Sequence, residues 1–173
     1  AAAPAAFMLD LSGTPVTDID DEIWGRVFDG IVHPLHRLTR AVLPQMTARN
    51  DGLVINLGSV AGDYPYPGGH VYGATKAFVL QFSLNLRADL VGKNVRVTNI
   101  EPGLVTGSEF SVVRFGGDAA RAAALYADKE PLTAEDIAET AAWLVSLPPH
   151  VNVNRIEMMP TCQASSALAV KGK

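Results

Sequence analysis

A short, nearly continuous apolar run, residues 53–57 (LVINL), and a second strand-like segment, residues 95–100 (VRVTNI), flank one helix-length amphipathic stretch, and no other feature constrains the fold as tightly. Apolar runs of this length suit strands that are covered on both faces. Between them Ala74, Phe78, Phe82, Leu86 and Leu90 recur every four residues, which predicts a helix from about Tyr72 to Leu90 with that stripe as its packed face. Two strands joined by such a crossover run parallel, and the connection is right-handed.

The flanking segments extend this pattern. Residues 7–11, closed by Ser12-Gly13, read as a further buried strand. Thr17 or Asp18 is expected to cap a helix whose first turn carries Asp20, Asp21 and Glu22, carboxylates that suit the positive end of the helix dipole. Leu35, Leu38, Val42 and Met46 form the apolar face of that helix, with a kink expected at Pro34. Residues 104–132 form a long excursion with a short Ala-rich helix, and such excursions in compact domains often serve as lids. Thr133, with Asp136 three positions later, predicts a capping box that opens a helix to about Leu147, where Pro148-Pro149 stops it. A last strand is expected over residues 155–159. The sum is an α/β fold: a partial doubly wound, Rossmann-like parallel sheet with helices on both faces. The 173 residues suit a single domain over 1–173, with 165–173 as a loosely ordered tail.

Composition removes several classes of function. Apolar residues make up 48% and the net charge is -4, with Lys and Arg scattered, so no basic stripe faces nucleic-acid phosphates. No apolar stretch approaches the roughly 20 residues of a membrane helix, and the N-terminal residues lack the basic region of a signal peptide. The one cysteine, Cys162, forms no internal disulfide, fits a reducing cytoplasm and reads as a small buried or half-buried side chain. Trp24 and Trp143 read as core or interface anchors, and His33 and His36 as solvent-exposed or structural rather than metal-binding. His70 is a loop histidine near the expected pocket.

Tyr72 and Lys76 stand four apart on one helix face, and Ser59 follows a strand 13 residues earlier, where parallel sheets build their ligand crevices. A phenol can give a proton to a developing alkoxide as general acid. With a pKa of about 10 it is a poor base near neutrality, and a neighbouring ammonium is expected to lower that value. The Ser59 hydroxyl is placed to hold the substrate oxygen.

Gly58-Ser59-Val60-Ala61-Gly62, Tyr72-Gly73-Ala74-Thr75-Lys76 and Glu101-Pro102-Gly103 together resemble successive motifs of the short-chain dehydrogenase/reductase family over roughly residues 13 to 163. Within it, INLGSVAGDYPYPGGHVYGATKAFVLQFSLNLRADL, IEPGLVTGSEFSVVRF and HVNVNRIEMMP are most similar to NADP-dependent 3-hydroxy acid dehydrogenases acting on serine or allo-threonine. The resemblance implies Tyr72 as acid/base, Ser59 as substrate positioner and Lys76 as a ligand of the nicotinamide ribose. It implies cofactor contacts from Tyr72, Pro102, Gly103, Val105 and Thr106, with NADP as cofactor and NAD as the alternative. Arg114, in the segment that would cover substrate, is a candidate partner for an acid group. A homotetramer built on the helices near 35–49 and 72–90 is also implied.

The family's glycine-rich phosphate-binding turn is not found in these residues, so the resemblance is to the catalytic, C-terminal half without the N-terminal dinucleotide-binding strands. Asp10-Leu11-Ser12-Gly13 stands where the family has Asn-Asn-Ala-Gly, and Ile31 where it has a catalytic Asn. Weak activity of the lone chain is therefore expected. The rival reading is a non-enzymatic binding or oligomerisation module on the same fold. A second rival, a halohydrin-dehalogenase-like lyase, is disfavoured because that group carries Arg where this chain has Lys76.

Overall fold

A computed structural model describes residues 16–165 of the chain. The expected strand over 7–11 and the tail beyond Ser165 lie outside the described residues. The elements are α1 (Asp21–Arg49), β1 (Gly52–Leu57), α2 (His70–Asp89), β2 (Val95–Pro102), α3 (Phe110–Arg114), α4 (Ala119–Tyr126), α5 (Ala134–Ser146) and β3 (Arg155–Met158). Short 3-10 turns at Val16–Asp18 and Val60–Gly62 precede α1 and α2. The strands form one parallel sheet in the order β1-β2-β3, with Gly52 opposite Val95 and Asn99 opposite Arg155. Strand, helix, strand, helix, strand is the order expected of a Rossmann-like sheet.

Each helix has a local cause. Asp20, not Thr17 or Asp18, caps α1 and accepts from the Glu22 amide at 2.6 Å; Thr17 and Asp18 sit in or beside the preceding turn. The helix runs 29 residues, with Pro34 and Pro44 inside it, and stops at Asn50 in the left-handed region, φ 52. Thr133 and Asp136 form the expected reciprocal capping box of α5. At the other end of α5, the Arg96 guanidinium donates to Leu144 O at 2.8 Å and Leu147 O at 3.3 Å, satisfying carbonyls that a helix end leaves unpaired. The excursion over 104–132 holds two helices, α3 and α4, where one was expected.

The core joins Leu86, Leu90, Val95 and Val97, with Leu43, Met46, Val54 and Phe82 packed around them. Parts of the two expected apolar faces turn away from it. On α1, Met46 packs on the core as expected and Leu43 joins it, whereas Leu38 and Val42 are exposed. On α2, Phe82, Leu86 and Leu90 of the expected stripe reach the core, whereas Ala74 and Phe78 are exposed and the helix buries Val71, Thr75, Val79 and Ser83 in its first part. The reason lies beneath α2: Asn56 and Asn99 stand opposite one another in adjacent strands, and Asn56 Nδ2 donates to Ser83 Oγ at 2.8 Å. A polar sheet face draws small hydroxyl side chains inward and leaves the Phe78 ring on the other side of the helix.

Of three further expectations, one is narrowed, one corrected and one met. Trp24 and Trp143, read as core or interface anchors, are exposed, which leaves the interface alternative; Trp24 stacks on Phe28 at 5.7 Å. Cys162 is exposed, its thiol 3.4 Å from Glu130 O. His33 and His36 are exposed as expected, and His33 Nδ1 meets Asp29 at 2.8 Å one helical turn away.

Candidate active site

The site assembles where β1 ends against the start of α2. Gly58 continues the sheet by donating to Ile100 O at 2.7 Å, and a side chain there would meet Asn99 at 2.6 Å. Ser59 is extended, and its hydroxyl caps the following turn by accepting from Ala61 N at 3.1 Å. That turn lies directly on α2. A Cβ on Gly73 would sit 2.9 Å from Ala61 O, and one on Gly62 2.8 Å from Ala77 N, so two glycines permit an approach that brings Ser59 to Tyr72.

Ser59, Tyr72 and Lys76 therefore share one location. The Lys76 ammonium donates to Leu57 O at 2.9 Å and stands 5.6 Å from the centre of the Tyr72 ring. Burial lowers its pKa to about 8. Burial also pushes the Tyr72 phenol up to about 12, against a hydrogen bond from Ser59 and the positive charge of Arg114, which favour ionisation; Tyr66 adds to the rise. This reverses the expected direction. The ammonium is engaged by a backbone carbonyl, and desolvation of the phenol outweighs the charges around it.

The other expected residues divide into two groups. Pro102 closes β2, and the following loop is pinned: Gly103 N donates to Met158 O at 2.7 Å, Leu104 N to Gln163 Oε1 at 2.7 Å and Thr106 N to Leu132 O at 2.8 Å. Gly103 has no room for a side chain, because Gln163 occupies the space. Val105 pairs with Leu132 in an isolated bridge. Arg114 closes α3, its guanidinium 5.5 Å from the centre of the Phe115 ring, and Phe110 from the same helix meets the Tyr72 ring edge-on at 6.1 Å. His70 borders a separate groove of about 320 Å3, with Asp63, Tyr64, Tyr66 and Ala77.

Sequence reasoning missed Phe110, Tyr66 and a polar cluster beside the site. Glu101 is 1% exposed, bonded by Asn99 Nδ2 at 2.8 Å and by Arg155 Nε at 3.0 Å, with Arg155 also on Asp63 at 2.8 Å. Burial raises the Glu101 pKa, and Asn99 and Arg155 oppose that rise. Asn99 and Glu101 alternate on one strand, a period-two signal that was visible but read only as part of the Glu-Pro-Gly motif.

A hydroxyl, a phenol and an amine thus meet where a parallel strand ends against a helix, the place at which Rossmann-like sheets build their ligand crevices. Residues 6–114 match the short chain dehydrogenase family, and the chain belongs to it. It is 54% identical over 162 residues to the NADP-dependent 3-hydroxy acid dehydrogenase YdfG of Salmonella typhi, covering 94% of this chain and 65% of that protein. It is 52% identical over 163 residues to sulfoacetaldehyde reductase 2 of Chromohalobacter salexigens, covering 94% and 64%. A serine dehydrogenase solved in its closed form with NADP+ superposes with a TM-score of 0.90 at 52% identity, covering 95% of this chain and 66% of that one. The chain thus spans about 65% of the length of the curated relatives it matches.

Proposed function

We propose that this chain is the catalytic part, folded as one domain, of an oxidoreductase that moves a hydride between NADP(H) and a small hydroxy acid or its carbonyl counterpart. One observation carries the reading: Ser59, Tyr72 and Lys76 converge at the end of β1. The donor set suits a nicotinamide riboside. One Lys76 N–H reaches Leu57 O among the described residues, which leaves the ammonium further donors for ribose hydroxyls beside the Tyr72 phenol. Pro102, Gly103, Val105 and Thr106 border the same end of the sheet and are the proposed contacts on the nicotinamide side. The glycine-rich turn that would hold the pyrophosphate is not among these 173 residues.

The bound nicotinamide would supply or accept the hydride at the substrate carbon. In reduction the Tyr72 phenol, protonated throughout the neutral range at a pKa of about 12, gives its proton to the oxygen as the carbonyl π pair moves onto it. Ser59 Oγ holds that oxygen, and the Ser59 hydrogen bond and the Arg114 charge favour the phenolate left behind. Oxidation runs the proton the other way. Arg114, whose charge already acts on Tyr72, is the proposed partner of the substrate's acid group. A 3-hydroxy acid and sulfoacetaldehyde, the compounds in two relatives' names, each carry such a group.

The test is formation of reduced nicotinamide from NADP+ with serine or allo-threonine. Tyr72→Phe is expected to slow turnover by about 10²–10⁴-fold while nicotinamide affinity stays within a few fold. A variant as active as the parent rules out the acid/base role. Ile31, half-buried in α1 where the family has Asn, favours the second reading, a binding module without turnover; NADPH titration separates the two, because a module of that kind leaves NADPH unbound. The exposed apolar residues of α1 and α2 support assembly as a homo-oligomer.

A further inference from the structure

The excursion between β2 and α5 is closed at its base and braced inside. At the base, Leu132 N donates to Leu104 O at 3.0 Å and Thr106 N to Leu132 O at 2.8 Å, so both ends of the segment lie side by side. Inside, the Tyr126 hydroxyl donates to Val105 O at 3.0 Å and lies 2.5 Å from Ser111 Oγ. With its own proton on Val105, the phenol oxygen accepts from Ser111, giving a relay from α3 through α4 to the loop after β2. Ser111 is 2% exposed, so this is an interior contact with little competition from water. One turn before Tyr126, Ala122 is buried on the same helix face, which seats α4.

Tyr126 joins a helix that touches the site to a loop proposed to touch the cofactor. Helix α3 brings the Phe110 ring to Tyr72 and carries Arg114, whose guanidinium shares the Phe115 ring with Arg121 at 5.5 and 4.5 Å. Val105 belongs to the loop proposed to contact the nicotinamide. Each is a short piece of irregular chain or a single helical turn with little stability of its own.

We infer that Tyr126 is a positioning residue that locks α3 to the 104–106 loop, setting Phe110 and Arg114 at their depth over Tyr72. The inference rests on the function proposed above and specifies how its substrate side is held. It concerns substrate binding and not the proton transfer, because Tyr126 touches neither Ser59, Tyr72 nor Lys76 among the hydrogen bonds described.

Tyr126→Phe keeps the ring and deletes the oxygen. In steady-state kinetics the KM for the hydroxy acid is expected to rise about tenfold, with kcat within twofold and an unchanged pH profile. Ser111→Ala is expected to act alike, and the double variant to be no worse than either single one, since both delete the same relay. An unchanged KM in Tyr126→Phe, or single effects that multiply in the double variant, would overturn the inference. Hydrogen exchange without ligand gives an arm independent of catalysis: amides of 110–115 should exchange about tenfold faster in Tyr126→Phe, with those of α5 unaltered. If the parent shows no nicotinamide-dependent turnover, the proposed function fails, and the exchange arm still decides whether Tyr126 is the brace; equal rates at 110–115 in variant and parent refute it.

Discussion

Burial leaves the Lys76 ammonium at about 8 in the folded chain, against 10.5 for an ordinary lysine. Between those values the unfolded chain binds a proton that the folded chain releases, so stability rises with pH across that window. Below about 8 both states hold the proton and the cost of desolvating it is carried in full. Tyr72 works in the opposite sense. Its folded value of about 12 exceeds 10.0, so its contribution is present below pH 10 and is lost as pH climbs towards 12. Lys76→Met is therefore expected to flatten the rise of the urea midpoint between about pH 8 and the onset of Tyr72 ionisation. A slope equal to the parent's would mean that the ammonium is better hydrated than its surroundings imply. The identity and meeting of these side chains were legible in sequence, because helical spacing and strand position settle them. The direction of the Tyr72 shift was not, because it depends on how much water the folded chain excludes.

At the level of elements, features encoded within one turn were legible, and those that depend on the facing surface were not. The α5 capping box needs only Thr133 and Asp136, and both of its bonds form as expected. Thr133→Ala is expected to cost about 1 kcal/mol, read as a lower denaturation midpoint at unchanged slope. On α2 the expected stripe holds at Phe82, Leu86 and Leu90 and fails at Ala74 and Phe78, which follow the same four-residue step as the buried Thr75, Val79 and Ser83. The Asn56–Ser83 bond, 27 residues apart in sequence, helps to draw the Ser83 side inward. The cap of α1 shifted for a similar reason: Thr17, Asp18 and Asp20 are all competent caps, and the extra 3-10 turn decides among them.

Across the molecule, large apolar side chains are left at the surface of α1 and α2, with Leu38 67%, Val42 42% and Phe78 39% exposed. Such residues on two packed helices mark an association surface when they are contiguous. Leu38→Glu is expected to shift the native mass spectrum towards monomer while circular dichroism stays unchanged, and an assembly that survives the substitution would place the interface elsewhere. Arg155 works on the same scale, since it ties β3 to β2 and to the chain after Ser59 through Glu101 and Asp63, with Glu157 close by. Carboxylate oxygens of Asp63, Glu101 and Glu157 lie within 4.8 Å of one another, a spacing that hard divalent cations favour. In this protein a guanidinium fills that role, so the parent's melting temperature should be indifferent to calcium. Arg155→Ala would convert a built-in counter-ion into a vacancy, and the variant should melt early in chelator and regain part of the loss when calcium is added.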